Sequence, residues 1–502
     1  MNEQDRSTQK LAAETARVGV NVGLLLAARL VGLAMSLIQL GIIFRALSLS
    51  AQGEFQAAFN FASLFTIFAT LGIQRLLVRD IARDGAVAWR YVWTALCVVT
   101  VLSGLCMTAI FFLRNGSGTS EVALWAAAYV VVTWALQQPF EALLIARERM
   151  GLVALLNVIA GAIKLVAVWL LLPIPGPSSE LVVSPVYAHQ VVALANGIGL
   201  LSFVVIALWA GRVEWPRVSP RAAMGQIREC LPFAVAMLFS WLYFKSDMEL
   251  LHHFRGNVDA GIYAPVQKLM EPLLMVAGLW GTAIFPALCR LSHTDAASFE
   301  HIKATSLRLA LLVACPMAVG LVILARPIIL LLTGGDDALD ASTQVLQIVA
   351  IMLPLFYVNG IGQEFLYAAH RNGFVVMSYG AAAVVSVGLN LWVIPAYGVL
   401  GLAWVAVIAN LTVSVFFCIG MRRELAFGSL LTLTMRSGVA CLIMGGVAWF
   451  GAQWNVLLDV IAGALCYAVV QVVLRTLNEE ERAMLAHLIG GLKGKWSRAM
   501  GR

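Results

Sequence analysis

Long runs of apolar residues follow one another along this chain, and short polar segments separate them. The runs are about 20 residues long, which is the length that a helix needs to cross a hydrocarbon core about 30 Å thick. We therefore predict an all-α fold, in a polytopic membrane protein with fourteen transmembrane helices. The predicted spans are residues 18–44, 55–74, 91–113, 121–145, 152–173, 187–210, 231–254, 261–289, 309–325, 342–370, 374–395, 400–421, 437–451 and 454–474.

Composition and charge agree with this interpretation and predict an orientation. Hydrophobic residues make up 61% of the 502 residues and charged residues 12%, which is more apolar surface than a soluble core can bury. Of the 34 Lys and Arg residues, 26 lie at the termini or in loops after even-numbered spans, and four lie in loops after odd-numbered spans. Basic residues accumulate in cytoplasmic loops, so we expect both termini in the cytoplasm. The net charge of +7 follows from this topology, and we expect no nucleic-acid partner.

One phrase of the sequence occurs twice. FRALSLSAQGEF (44–55) and HHFRGNVDAGIY (252–263) each place Phe-Arg at the end of an apolar run and a glycine at the start of the next run. They follow spans 1 and 7, at an offset of 208 to 210 residues. Spans 4 and 10 end in the similar phrases LIARERMG (144–151) and LYAAHRNG (366–373), at an offset of 222. A nearly constant offset over six helices indicates an internal repeat.

The repeat predicts the domain organisation. Because it comprises an even number of spans, both copies cross the membrane in the same direction, as a parallel repeat about an axis along the membrane normal. We expect two six-helix lobes around a central cleft, which is typical of alternating-access transporters, and two additional C-terminal helices. The predicted segments are a cytoplasmic N-terminal segment 1–17, the lobe 18–210, a linker 211–230, the lobe 231–421, helices 13 and 14 within 422–474, and a cytoplasmic tail 475–502.

Three stretches carry a family resemblance. They are FRALSLSAQGEFQAAFNFASLFTIFATLGIQRLLVRDIARD, SDMELLHHFRGNVDAGIYAPVQKLMEPL and LLTGGDDALDASTQVLQIVAIMLPLFYVNGIGQEFLYAAHRNG. Over about residues 18–421, the sequence resembles the polysaccharide-export branch of the multidrug/oligosaccharidyl-lipid/polysaccharide flippase superfamily. The resemblance implies a bacterial inner-membrane protein that moves undecaprenyl-pyrophosphate-linked oligosaccharide to the periplasmic leaflet, for O-antigen, capsule or exopolysaccharide assembly. It also implies a polysaccharide polymerase and a chain-length regulator as partners.

Four basic residues inside the predicted spans are candidates for binding such a substrate: Arg29, Lys164, Lys245 and Lys268. A charge at the bilayer centre costs about 2.5–3.5 kcal/mol on insertion scales, so we expect these side chains to face water or anionic groups. Hydroxyl and phosphate groups left unsatisfied in hydrocarbon each cost several kcal/mol. A hydrated, cationic cleft would lower this barrier for a pyrophosphate-linked head group.

The surroundings of these four residues differ. Arg29 lies on a predicted polar stripe of span 1, because helical geometry places Asn21, Ser36 and Gln39 within about 80° of it. Neither Arg29 nor Lys164 has a carboxylate at pairing distance on its own helix, and they are the favoured pair.

An alternative reading applies to the other two lysines. Lys245 with Glu249, and Lys268 with Glu271, have the spacing of ion pairs within a helix. In that reading both lysines would be neutralised inside the protein.

Five carboxylates are candidates for exchanging a proton or binding sodium during transport: Asp247, Glu249, Glu271, Glu141 and Glu364. We expect no cofactor. The eight cysteines lie singly in apolar runs, without the paired spacing of a metal site or a disulfide framework.

Three other functions are compatible with a polytopic membrane protein of this size. A drug/cation antiporter of the same superfamily would favour an acidic cleft, whereas a lipid II flippase shares the fourteen spans and a cationic cavity. A membrane-embedded polymerase or ligase would carry a large periplasmic loop with catalytic groups, but the longest loops predicted outside, 174–186 and 326–341, are short. Without a Walker A motif, ATP hydrolysis is not expected, and the sequence does not indicate an enzyme.

Overall fold

The structure, a computed structural model, is helical throughout the part of the chain that it describes. Apart from short turns, the described residues form helices, and none of them forms a strand. This confirms the all-α fold class. The described residues are 28–29, 31–83, 88–117, 120–147, 149–173, 183–209, 220–294, 296–335, 338–421, 438, 440–447, 449 and 456–473.

The helices follow one another with short connections. They are α1 (Val31–Ala46), α2 (Leu49–Thr70), α3 (Ile73–Arg83), α4 (Ala88–Ser117), α5 (Ser120–Ala127), α6 (Trp134–Ala146), α7 (Met150–Leu171), α8 (Pro185–Trp209), α9 (Pro220–Phe244), α10 (Ser246–Thr294), α11 (Ala296–Ile323), α12 (Ala325–Thr333), α13 (Leu339–Ala350), α14 (Met352–Ala368), α15 (Asn372–Gly420) and α16 (Val456–Val473). A π-helical segment, Ala128–Thr133, joins α5 to α6.

Several helices are suited to crossing a membrane. Seven helical stretches of the described chain are long and apolar enough to do so. They are Ala88–Leu113, Glu121–Ala146, Gly151–Leu171, Pro185–Ile206, Phe299–Ile323, Leu339–Ala368 and Asn372–Gly420. The protein is therefore a multi-pass membrane protein. Helical residues occur in the described part of every predicted span, and the count of fourteen stays a prediction.

Two long helices each contain one sharp break at a glycine. The breaks are at Gly256 in α10, with φ 78° and ψ −166°, and at Gly398 in α15, with φ 59° and ψ −144°. A residue with a Cβ atom is strained in this region of backbone space. The breaks fall between predicted spans 7 and 8 and between predicted spans 11 and 12, so a glycine takes the place of a longer loop at both.

The chain divides into two compact units. Unit 1 comprises Met1–Pro272, Leu330–Ser342 and Ser386–Leu402, and unit 2 comprises the remaining residues. The predicted lobes, 18–210 and 231–421, come from the sequence repeat and stay a prediction.

The two repeated phrases contact each other inside unit 1. A Cβ atom added at Gly53 would lie 1.9 Å from the Asn257 carbonyl oxygen, and one added at Gly261 would lie 2.1 Å from the Leu49 carbonyl oxygen. At an offset of 208, Gly53 matches Gly261 and Leu49 matches Asn257, so the same contact is made twice, as at a two-fold interface. We call the contact of residues 49–60 with residues 257–268 the seam.

Candidate functional site: a bridged ion cluster in unit 1

One carboxylate of unit 1 binds two lysines. The Lys245 ammonium donates a hydrogen bond to Glu271 Oε1, and the Lys268 ammonium donates to Glu271 Oε2 at 3.1 Å. All three side chains are partly buried, with 15–38% of each exposed. We call Lys245, Lys268 and Glu271 the bridged cluster. Its formal charge is positive, because two ammonium groups share one carboxylate.

This arrangement corrects one predicted pairing and confirms the spacing of another. Lys268 and Glu271 do form the expected pair within α10. Lys245 does not pair with Glu249 as the alternative reading expected, because it lies at the one-residue interruption between α9 and α10. Helical i, i+4 geometry is not continuous across that interruption, and Lys245 reaches Glu271 on the segment after Gly256 instead.

Two other carboxylates of α10 have contrasting surroundings. Both oxygens of Asp247 accept hydrogen bonds, one from the Tyr263 hydroxyl at 2.6 Å and one from the Met248 backbone N–H at 2.8 Å. Oε2 of Glu249 is buried and has no hydrogen-bond partner in the described part of the chain. The three carboxylates of this region are thus a bridging group, a hydrogen-bonded group and a group with an unsatisfied oxygen.

Amide and aromatic groups of α2 lie beside the bridged cluster. The Lys268 ammonium lies 4.2 Å from the centre of the Phe59 ring, within the range of a cation–π contact. Next to it, the Asn60 and Gln56 side-chain amides donate to Gln267 Oε1 at 3.1 and 3.2 Å, and Gln56 also donates to Asn60. Gln56 and Asn60 are fully buried. We call Gln56, Asn60 and Gln267 the amide trio.

Arg29 and Glu141 belong to a second charged group of unit 1. Arg29 is exposed and lies within electrostatic range of Glu141, which accepts a hydrogen bond from Asn157. Lys164 is partly buried and forms no ion pair with a described residue. A role for Arg29 and Lys164 in substrate binding stays a prediction.

The predicted polar stripe of span 1 is only partly described. Ser36 is exposed and Gln39 is partly buried, whereas Asn21 lies outside the described residues.

Glu364, the remaining ion-coupling candidate, lies in unit 2. It accepts a hydrogen bond from the Gln363 side chain at 3.3 Å, and Gln363 accepts one from the Tyr379 hydroxyl at 2.6 Å. Gly281 packs against Glu364, where a Cβ atom would lie 2.9 Å from Glu364 Cγ.

Two family models match this chain. The family model described as polysaccharide biosynthesis protein matches residues 18–292, which is more than half of the chain. The chain belongs to this polysaccharide biosynthesis family. A second model, lipid II flippase MurJ, matches residues 262–467. No curated protein sequence gives a significant match.

Solved structures share the fold of this polysaccharide biosynthesis family member. Lipid II flippase MurJ in an inward closed conformation has a TM-score of 0.69 at 14% identity, covering 91% of this chain and 99% of that chain. An inward-facing multidrug resistance MATE family transporter of the MOP superfamily has a TM-score of 0.64 at 16% identity, covering 80% and 98%. The chain shares the fold of both of these transporters, and the two family models agree with the predicted flippase resemblance rather than with an enzyme.

Sequence reasoning missed the groups of α2 that lie beside the bridged cluster in this family member. A signal for them was present, because Gln52, Gln56 and Asn60 recur every four residues and so lie on one face of the helix. Gln52 stabilises the turn before α2, because its side-chain amide donates to the carbonyls of Phe44 and Leu47 at 2.8 and 3.2 Å. The other two form the amide trio with Gln267.

Proposed function

We propose that this protein is a flippase for undecaprenyl-pyrophosphate-linked oligosaccharide in the bacterial inner membrane. It would move the glycan unit from the cytoplasmic to the periplasmic leaflet by alternating access, for lipopolysaccharide O-antigen, capsule or exopolysaccharide biosynthesis. The observation that carries the proposal is the bridged cluster, two lysines that share one carboxylate in a membrane protein of a polysaccharide biosynthesis family.

The bridged cluster is chemically suited to an anionic head group. Lys245 and Lys268 bring two ammonium groups to one carboxylate, Glu271, and Asp247 lies within electrostatic range of Lys245. A pyrophosphate offers several oxygens, and charge-assisted hydrogen bonds to it are of the same type as those that Glu271 now accepts. Glu271 can therefore hold the lysines before the head group arrives and compete for them when it leaves. That competition would let the site bind the head group without retaining it.

The membrane potential would favour the proposed direction. A pyrophosphate head carries roughly two negative charges, and an interior-negative potential favours outward movement by about 2.3 kcal/mol per charge per 100 mV. Nearly 5 kcal/mol per 100 mV is then available if no counter-ion moves.

Ion coupling would modify this driving force, and Glu249 is the best placed carboxylate for proton exchange. Its buried Oε2 has no partner among the described residues, and an ionised carboxylate in such a position is costly. Protonation would remove that cost. Asp247 and Glu271 already accept hydrogen bonds and are weaker candidates.

A lipid II flippase is the second candidate function, because a MurJ family model matches residues 262–467. Lipid II also carries its glycan on a pyrophosphate, so the bridged cluster suits both cargoes. A drug/cation antiporter is less favoured, because the family model that matches more than half of the chain is one of polysaccharide biosynthesis. A polysaccharide polymerase and a chain-length regulator are proposed as partners of the protein in the bilayer.

Deletion of the gene tests the proposed cargo. Synthesis of the lipid-linked unit precedes flipping, so we expect the unit to accumulate in the cytoplasmic leaflet and the surface polymer to be lost. Mass spectrometry of extracted lipids and electrophoresis of surface polysaccharide would measure both. Accumulation of lipid II with normal surface polymer would favour the second candidate, and altered polymer length with continued export of single units would indicate a polymerase.

A further inference from the structure

At one end of the seam, the two copies of the repeat make the same contact with different side chains. We call this end, formed by residues 59–60 and 267–268, the inner end. At an offset of 208, Phe59 matches Gln267 and Asn60 matches Lys268. The Asn60–Gln267 contact and the Phe59–Lys268 contact are therefore the same pair of positions, seen once from each copy of the repeat. In one copy the contact is a hydrogen bond of 3.1 Å between amides, and in the other a cation lies 4.2 Å from a ring centre.

The amide trio makes the closed seam easy to hydrate. Gln56 Oε1 and Gln267 Nε2 are buried without hydrogen-bond partners in the described part of the chain. Buried polar atoms without partners destabilise the closed arrangement, and water would satisfy them if α2 and α10 separated. Two apolar helices in the same contact would have no such gain. A further contact at this end of the seam would offset that cost.

Lys268 supplies that contact and is also part of the bridged cluster. Its ammonium contacts the Phe59 ring across the seam and donates to Glu271 Oε2 at 3.1 Å on its own helix. An anion that draws the ammonium towards itself would weaken the contact with the ring, because the cation–π attraction falls as the cation leaves the ring face. The same atom thus belongs both to the bridged cluster and to the contact across the seam.

We propose that the Phe59–Lys268 contact is a latch, by which binding of a pyrophosphate head group at the bridged cluster releases the seam. Phe59 is then a positioning residue that acts through Lys268 and touches no cargo itself. The identity of the anion in this proposal, a pyrophosphate head group, rests on the proposed function. In the closed state residues 49–60 contact residues 257–268, and in the released state they separate, whichever anion is bound.

Thiol labelling of a reporter cysteine tests the latch. Ala57 is 2% exposed and lies on the face of α2 that carries Gly53 and Asn60, so Ala57→Cys is expected to react only when the seam opens. The full chain, with its eight native cysteines replaced, would be placed in lipid nanodiscs and treated with a membrane-impermeant maleimide. We expect Phe59→Leu to raise the labelling rate about tenfold without ligand, as loss of a desolvated cation–π contact would.

Matched variants separate the latch from general loosening of the fold. Phe61→Leu makes the same change two residues away, where the ring packs on Phe65, and should leave the labelling rate unchanged. Lys268→Gln should raise labelling as Phe59→Leu does, and the double variant should label like either single one, because both substitutions remove the same Phe59–Lys268 contact. Additive effects of the two substitutions, or unchanged labelling in both, would overturn the latch.

Ligand addition distinguishes the latch from the proposed cargo. Undecaprenyl pyrophosphate should raise labelling of the reporter chain and give no further rise with Phe59→Leu, whereas undecaprenol, which has the tail without the charge, should have no effect. If Phe59→Leu and Lys268→Gln raise labelling but undecaprenyl pyrophosphate does not, the latch stands and the proposed head group is wrong. If undecaprenyl pyrophosphate raises labelling equally with and without Phe59, the latch is wrong and the head group stands.

Discussion

At the scale of residues, the main feature of the site is the sharing of Glu271 between Lys245 and Lys268. The sequence indicated both lysines as functional candidates and gave the correct partner for Lys268. It could not give the partner of Lys245, because that pair joins residues 26 apart and depends on a helix interruption and a glycine break. The cation–π contact with Phe59 was equally beyond reach, since it joins helices far apart in the sequence.

Substitution of Glu271 is expected to affect stability more than substitution of either lysine. Glu271→Gln leaves two neighbouring ammonium groups without the carboxylate that they share, whereas Lys245→Gln or Lys268→Gln leaves one complete ion pair. Because the Glu271 side chain is 38% exposed, we expect a loss of about 2 kcal/mol, between the ranges for surface and buried pairs. Thermal unfolding of purified protein in detergent would measure it, with Glu54→Gln on α2 as a control. An equal loss in all three cluster variants would show that Glu271 does not bridge.

At the scale of elements, apolar runs predicted where helices lie better than where they end. Span 9 was predicted from residue 309, but α11 begins at Ala296, because its first turns carry polar side chains that interrupt the apolar pattern. Span 2 was predicted from residue 55, but α2 begins at Leu49, where the Ser48 hydroxyl accepts a hydrogen bond from the Ala51 backbone N–H. Capping and polar stripes therefore extend helices past the limits that hydropathy gives.

The two glycine breaks offer a matched comparison of backbone strain and steric contact. Both glycines have a positive φ, so alanine at either position should cost about 1–3 kcal/mol of stability. Gly256 has nothing within 4 Å of an added Cβ atom, whereas at Gly398 that atom would lie 2.9 Å from Arg255 Nη2 and 3.1 Å from Asp259 Oδ2. We therefore expect Gly398→Ala to lower the unfolding temperature more than Gly256→Ala. Equal losses would mean that the Arg255–Asp259 pair, 3.7 Å apart, moves aside freely, and a larger loss for Gly256→Ala would contradict the steric argument.

At the scale of the whole molecule, composition and the repeat were sufficient to predict an all-α membrane transporter, and the family model and shared fold agree. The reason is physical, because a chain with 61% hydrophobic residues has few alternatives to membrane helices. The cargo is not determined in this way. A pyrophosphate site needs only a few cationic groups, and the same groups suit lipid-linked glycans of different sugar composition.

Transport by the reconstituted protein tests the central claim most directly. Liposomes containing the protein and a fluorescent undecaprenyl-pyrophosphate-linked oligosaccharide would be assayed for movement of the glycan between leaflets, with and without an imposed potential. We expect Lys245→Gln and Lys268→Gln to slow movement about tenfold to a hundredfold, as loss of a charged hydrogen bond would. Arg79→Gln, which removes an exposed ion pair with Asp80 and Glu229, should keep the wild-type rate. Wild-type protein that moves the glycan no faster than protein-free liposomes, or lysine variants that move it at the wild-type rate, would contradict the account.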